Sequence, residues 1–154
     1  MVIHLATDHA GFAYKEAVLV WLQAEGFTVE DHGAYEYNDL DDFPDFISLA
    51  AAAVSADPFS SRGIIFGGSG QGEAITANRF PRVRAAVYYG GIDVIPALSR
   101  QHNDANILSI GARFVDINLA KQMIWEWLHT EAFTEDKYLR RNEKIEAITT
   151  KLHT

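Results

Sequence analysis

The chain has 154 residues, of which 48% are apolar and none is cysteine. The length suits one domain, and no linker or repeat divides residues 1–154. The lack of cysteine excludes disulfides, thiolate metal sites and cysteine nucleophiles. A formal net charge of −8 disfavours nucleic acid partners, and no apolar run approaches the ~18 residues that cross a membrane.

The first half of the chain alternates short apolar runs with helical patterns. Strands are predicted over residues 2–6 and 27–30, and helices over residues 14–25 and 46–56. The acidic run over residues 39–45 is predicted to be a solvated loop. No histidine pair accompanies it, which argues against a metal site there.

The second half continues the alternation to the end of the chain. Strands are predicted over residues 63–66, 83–88 and 106–110, and helices over residues 73–79, 117–128 and 135–151. Five short strands with intervening helices predict an α/β fold with a parallel sheet covered on both faces. Ligands of such sheets bind beyond the carboxyl ends of the strands, so the residues that follow each strand are the candidates for function.

The least ordinary segment is Gly67-Gly68-Ser69-Gly70-Gln71-Gly72-Glu73, which follows the third strand. Its glycines permit close backbone approach to a ligand, and the following helix offers free amides for an anion. It lacks the lysine of a phosphate-binding loop, and Glu73 stands where a dinucleotide-binding motif requires its last glycine. The alternative is a tight strand-to-helix turn in which Glu73 is only a favourable first-turn acid.

Two further polar segments follow strands or precede them. Asp8 and His9 come directly after the first strand, where Asp8 is predicted to cap a helix and His9 to be available for an anion. Residues 99–106 contain His102 flanked by amide and acid groups, an arrangement suited to a general acid. A solvated loop is the alternative for that segment.

Three cations are candidates for a phosphate clamp. Arg140 and Lys144 are four residues apart and share one helix face, and Arg113 follows the fifth strand. The alternative is that they are solvated residues paired with Glu143 or Glu146. The sequence offers no partner for the remaining histidines, His4, His32, His129 and His153, which we expect to be structural.

Taken in order, these segments resemble the family of ribose-5-phosphate isomerase B and the galactose-6-phosphate isomerase subunits. The matching residues are Asp8-His9-Ala10-Gly11 with Lys15, Asp42-Phe43-Pro44-Asp45, the glycine-rich segment with Ala77-Asn78, Arg84-Ala85-Ala86-Val87, Ser99-Arg100-Gln101-His102-Asn103-Asp104-Ala105-Asn106, Gly111-Ala112-Arg113, and Arg140 with Lys144-Ile145. The resemblance covers almost the whole chain. It implies a Rossmann-like α/β/α sandwich with a five-stranded parallel sheet, in a cytoplasmic homodimer or homotetramer whose sites lie at the dimer interface.

The resemblance also implies an aldose–ketose isomerase that uses no metal or organic cofactor and acts on a phosphorylated sugar. One subfamily has a cysteine base at the position of Gly67, whereas the other has a glutamate at the position of Glu73, which this chain matches. Four residues are then implied to be catalytic: Glu73, Ser69, Asp8 and His102. Nine are implied to bind substrate: His9, Phe43, Gly70, Gln71, Gly72, Asn103, Arg113, Arg140 and Lys144.

Three departures from the family pattern concern substrate contacts. Lys144 replaces a common arginine, Phe43 replaces a usual tyrosine, and residues 88–96 are longer and differently composed. The preferred substrate is ribose 5-phosphate, with another sugar phosphate of four or six carbons as an alternative. A phosphosugar sensor without turnover is a second alternative, although a binding protein has no need of a base such as Glu73.

Overall fold

The computed structural model describes residues 1–152. The strands are β1 (Val2–Thr7), β2 (Thr28–Asp31), β3 (Ser61–Gly67), β4 (Ala85–Tyr88) and β5 (Ile107–Gly111). The helices are α1 (Phe12–Ala24), α2 (Phe43–Ala56), α3 (Gln71–Ala77), α4 (Ile95–Asn103), α5 (Ile117–His129) and α6 (Asp136–Leu152). A 3₁₀ turn over His9–Gly11 connects β1 to α1.

The strands form one sheet in the order β2-β1-β3-β5-β4, and every neighbouring pair is parallel. This confirms the predicted five-stranded parallel α/β fold. β1 connects to β2 on one side, whereas β3 connects past β5 to β4 on the other. The order in which strands are added to the sheet therefore reverses between β1 and β3, and ligands bind at such a switch point in sheets of this kind.

Apolar side chains fill both faces of the sheet. On one face, Val18 and Leu22 of α1 and Ile124 and Trp127 of α5 pack on Leu5, and on the other, α2 and α3 cover Ile65 and its neighbours. β1, β3 and β5 are buried on both faces, which explains their nearly continuous apolar sequences. None of the helices described over residues 1–152 is long and apolar enough to cross a bilayer.

All ten predicted elements exist, with ends that differ by at most three residues. One correction concerns the segment around His102: residues up to Asn103 belong to α4, and Ser99 and Arg100 are buried. The alternative of a solvated loop is therefore wrong for this part. The polar residues were misleading because Arg100 is held inside by Asp104 at 2.7 Å and by the carbonyl of Ala105 at 2.6 Å.

Candidate active site

The crevice lies where β1 and β3 end side by side. Asp8 follows β1, and its buried side chain accepts a hydrogen bond from the Ala10 amide at 2.9 Å, which confirms its predicted capping role. The Thr7 hydroxyl donates to the carbonyl of Phe66 at 3.0 Å and so ties the ends of the two strands together. Asp8 is thus fixed beside the glycine-rich loop.

Glu73 is the buried carboxylate of this loop. It lies in the first turn of α3 and is 4% exposed. A Cβ atom added to Gly67 would overlap its carboxylate, so the acid occupies the space that a side chain at position 67 would need. This placement of Glu73 therefore requires glycine at position 67 and is incompatible with a cysteine there.

The surroundings of Glu73 make it a stronger base than an exposed carboxylate. Burial raises its pKa above the ordinary value, and the nearby negative charge of Asp8 acts in the same direction. A hydrogen bond from its own backbone amide opposes this shift but does not cancel it. A carboxylate with a raised pKa suits proton abstraction near neutral pH.

The rest of the loop is shaped for close contact. Gly70 has φ +78°, a conformation that other residues rarely adopt, and its carbonyl accepts a hydrogen bond from the Ser109 hydroxyl at 2.7 Å. Ser69 is exposed at the tip, where its oxygen is 3.4 Å from the Gln71 amide. The Phe43 ring packs on Gly72, 2.6 Å from where a Cβ would stand, so Phe43 borders the loop.

His9 and Arg113 lie at one end of the crevice. Nδ1 of His9 is 2.7 Å from Oδ1 of Asp41, and this hydrogen bond is the main reason that the pKa of His9 is raised above its ordinary value. The Arg113 guanidinium lies over Gly68, with Nη1 2.9 Å from where a Cβ would stand, and its charge partly opposes the shift of His9. Two cationic groups therefore flank the loop.

Asp41 is a residue that the sequence analysis missed. Its acidic run was predicted to be a solvated loop, but the Asp41 side chain is only 8% exposed and also accepts a hydrogen bond from the backbone amide of His9 at 3.0 Å. Its Oδ2 atom is buried without a hydrogen-bond partner among residues 1–152. The alternation of acids gave no signal that one of them faces His9.

The other predicted site residues lie elsewhere. His102 and Asn103 end α4 just before β5, and the Arg84 side chain, which precedes β4, donates to the carbonyl of Asn103 at 2.9 Å. They are therefore at the amino edge of the sheet, whereas Glu73 is at the carboxyl edge. The 5 residues of β5 alone separate these edges by roughly 16 Å.

Arg140 and Lys144 project from α6, which packs mainly against α4. The His102 ring stacks on Tyr138 at 5.0 Å, and Asn142 contacts the same segment, so these residues mark the inner side of α6. At 100° per residue, Arg140 and Lys144 lie about half a turn away from that side. Both are exposed, and within residues 1–152 neither forms an ion pair.

Within residues 1–152 these cations pair with neither Glu143 nor Glu146, which binds Arg84 at 2.5 Å, but they are solvated on this chain, as the alternative expected. We name His102, Asn103, Arg140 and Lys144 the outer group, and Asp8, His9, Glu73, Arg113 and the loop residues 67–72 the crevice group. The chain brings the crevice group together by itself. It does not bring the outer group to that crevice.

Two clusters have side chains that a metal ion requires. Asp8, His9 and Asp41 form one within the crevice, and His4 of β1, Glu30 of β2 and His32, which directly follows β2, form another. His4 and His32, for which the sequence offered no partner, are hydrogen-bonded at 2.9 Å. His129 contacts the Trp125 ring, and His153 lies outside the described residues.

Comparison with known proteins places this arrangement in a family. The family described as Ribose/Galactose Isomerase matches residues 3–146. Ribose-5-phosphate isomerase B of Mycolicibacterium paratuberculosis is 36% identical over 92% of this chain and 87% of its own length. The Escherichia coli protein of the same name is 35% identical over 95% of both chains.

Solved structures agree with the sequence comparison. Ribose-5-phosphate isomerase B of Clostridium thermocellum superposes with a TM-score of 0.90 at 37% identity over 99% of both chains. The Mycoplasma genitalium enzyme with bound ribulose-5-phosphate gives 0.91 at 31% identity over 97% of this chain and 96% of that one. The chain belongs to the ribose/galactose isomerase family, which confirms the resemblance seen in its sequence.

Proposed function

We propose that this chain interconverts ribose 5-phosphate and ribulose 5-phosphate through an enediolate, with Glu73 as the base. The observation that carries the proposal is the buried Glu73 carboxylate, which lies against Gly67 and near Asp8 at the end of β3. Relatives that cover nearly the whole chain are named ribose-5-phosphate isomerase B, and one solved structure holds ribulose-5-phosphate.

In the proposed isomerisation Glu73 takes the proton from C2 of the open-chain aldose and returns it to C1. The negative charge that develops on the substrate oxygens needs donors. The amides at the start of α3, from Gly70 to Gly72, have no partners within the helix and are placed beside Glu73. Ser69, exposed at the loop tip, hydrogen-bonds the reacting hydroxyls.

The ring-opening step needs a second acid–base pair, for which the resemblance implies Asp8 and His102. One chain places these residues at opposite edges of the sheet, so a single subunit does not supply both. We assign His102 and Asn103 of the partner subunit to the crevice of this one. The site is then shared across a homodimer, and Asn103 adds a donor for the developing oxyanion.

The phosphate is held by four cations under the same arrangement. His9 and Arg113 come from the subunit that provides Glu73, and Arg140 and Lys144 come from the outer face of α6 in the other subunit. Support comes from α6 itself, which has no buried residue and exposes Leu139, Ile145 and Ile148. Apolar residues on a helix that covers so little of its own chain favour burial against a second chain.

The reaction as proposed uses no metal or organic cofactor, because proton transfer between neighbouring carbons requires only a base and oxyanion donors. We place the enzyme in the cytoplasm, in keeping with a cysteine-free chain. Its assembly is a dimer, either alone or paired further into a tetramer.

The test of the base is the Glu73→Gln variant, which keeps shape but cannot accept the proton. Isomerisation should fall by about 10²- to 10⁴-fold while binding of ribose 5-phosphate survives, because this is the range that general-base catalysis contributes. Loss of deuterium from C2-labelled ribose 5-phosphate to solvent measures the transfer itself. Exchange at the wild-type rate in the variant would show that Glu73 is not the base.

A second candidate is the isomerisation of another sugar phosphate. Phe43 packs on Gly72 in the loop and brings no hydroxyl where the family usually has tyrosine. Beside the crevice, the Tyr88 hydroxyl is held by Asp93 at 2.5 Å within the altered segment 88–96. Comparing kcat/KM for pentose, hexose and tetrose phosphates ranks the substrates, and binding without turnover of any of them would favour the sensor.

A further inference from the structure

Three donor side chains meet at the β1–β2 edge of the sheet, away from the crevice. His4 of β1 lies directly opposite Glu30 of β2 in the strand register, and His32 follows Glu30 by two residues. Because side chains alternate along a strand, Glu30 and His32 project from the same face as His4. The pairing of the two strands thus brings two imidazoles and a carboxylate together.

The distances suit a single small cation. Nδ1 of His4 is 2.9 Å from Nε2 of His32 and 3.4 Å from Oε2 of Glu30, and the third side of this triangle is 4.0 Å. A tetrahedral Zn²⁺ with bonds of about 2.0–2.1 Å holds neighbouring donors about 3.3 Å apart. The three atoms are therefore close to the spacing that one ion imposes.

The number of converging donor atoms also suits a cation. A proton on one converging imidazole nitrogen can form a hydrogen bond to only one of the other two atoms, and the third is then left without a partner in the cluster. A metal ion accepts a lone pair from all three at once.

We propose that His4, Glu30 and His32 bind one divalent transition-metal ion per chain, with Zn²⁺ as its simplest representative. Two imidazoles and one carboxylate suit Zn²⁺ rather than Mg²⁺ or Ca²⁺, which prefer oxygen ligands. Glu30 is more than half exposed, so water has access to the fourth position. The ion joins the edge strand β2 to the buried strand β1 and stabilises the folded chain.

The site is separate from the proposed chemistry. His4 precedes Asp8 by four residues of an extended strand, roughly 13 Å. Removal of the metal should therefore leave isomerisation unchanged and lower the thermal stability. The crevice cluster Asp8, His9 and Asp41 is the competing location, and the experiment separates the two.

The experiment is calorimetric titration of the metal-free protein with Zn²⁺, together with thermal unfolding in its presence. Wild type should bind one ion per chain and unfold at a higher temperature with Zn²⁺. His32→Gln should weaken binding by at least about 100-fold and abolish the thermal shift. His129→Gln, which changes an exposed histidine on α5, is the matched control and should behave as wild type.

Glu30→Gln, at an exposed position, provides a second variant whose folding is not at risk. It should weaken Zn²⁺ binding by at least about 10-fold. X-ray absorption at the zinc edge should show two imidazole ligands per ion. Absence of wild-type binding up to millimolar Zn²⁺ would overturn the proposal. So would unchanged binding in His32→Gln, which would show that the ion binds elsewhere, with the crevice cluster as the first candidate.

Discussion

The crevice group and the outer group differ in how they are held. Asp8 and Glu73 are buried and fixed by contacts within one chain, and His9 is bound to Asp41 at 2.7 Å. Arg140 and Lys144, by contrast, are exposed on a helix that rests mainly on α4. A group that transfers a proton must be placed precisely. Long cationic side chains, in contrast, bind a phosphate well once contact with a second surface has ordered them.

The same difference supports the proposal that a complete site takes residues from two chains. The crevice group has a base and loop amides, but only two cations beside it. The outer group has the remaining cations and the second imidazole, but it contains no carboxylate. Each group supplies what the other lacks, and the proposed dimer joins them.

The largest effect is expected from mixing two inactive proteins. Glu73→Gln lacks the base, and the double variant Arg140→Ala/Lys144→Ala lacks the outer cations. If the site is shared between subunits, half of a random dimer mixture is mixed, and each mixed dimer has one intact site. Activity at low substrate should rise from near zero to about a quarter of wild type, by the symmetry of a two-site dimer.

The control for this mixture is the chain that carries all three substitutions, mixed with wild type. Its mixed dimers hold two damaged sites, so activity should fall below the value expected for unmixed proteins. Co-expression with two different tags isolates the mixed dimers for steady-state kinetics. Mixed dimers no more active than their parents would mean that both groups serve a site within one subunit.

The tight packing of the crevice group is tested by Gly67→Ala. The added methyl overlaps the Glu73 carboxylate, so the acid must move, and we expect kcat to fall by about 100-fold. Gly68→Ala is the matched change in the next residue, where the nearest atoms to the added methyl belong to the flexible Arg113 side chain. It should raise KM and alter kcat little; equal losses of kcat in both variants would contradict the specific contact.

The looseness of the outer group is tested by Arg140→Ala and Lys144→Ala separately. A charge-assisted hydrogen bond to phosphate contributes about 1.5–3 kcal/mol, so KM should rise about 10- to 100-fold for ribose 5-phosphate. Unphosphorylated ribose should show little change. Arg141→Ala, an exposed neighbour on the same helix, is the control. Small and equal effects on both sugars would show that Arg140 and Lys144 do not bind the phosphate.

The sequence predicted the crevice group better than the contacts around it. Asp8 and Glu73 were identified as candidates because they follow strands closely, and the position of a residue after a strand can be predicted from the local sequence. Asp41 was missed because its contact with His9 spans 32 residues and depends on how the loop before α2 folds back. The pairing of His4 with His32 depends likewise on strand register, which the pattern of apolar residues does not specify.

The positions of the outer group were also beyond local reasoning. The segment around His102 was identified from its polar composition, but only the topology shows that α4 carries it to the amino edge of the sheet. In the same way, the spacing of Arg140 and Lys144 predicts a shared helix face without telling which way that face points. Long-range geometry, rather than residue type, decides both.

The smallest effect is expected from Asp41→Asn, through the pH dependence of substrate binding. Asp41 raises the pKa of His9, so His9 is cationic, and suited to a phosphate dianion, up to a pH above its ordinary 6.5. Substrate affinity should rise near pH ~6 as the phosphate loses its second proton, and fall as pH passes through the raised pKa of His9.

Without the Asp41 carboxylate the pKa of His9 drops, so the alkaline fall in affinity moves to lower pH in the variant. Removal of a negative charge near the phosphate alters KM at every pH. The diagnostic readout is therefore the pH at which the alkaline fall in affinity occurs. KM against pH for wild type and variant, with NMR titration of the His9 ring, measures both quantities. If the alkaline fall in affinity occurs at the same pH in both proteins, His9 does not bind the phosphate. The phosphate would then be bound by the three remaining cations, Arg113, Arg140 and Lys144.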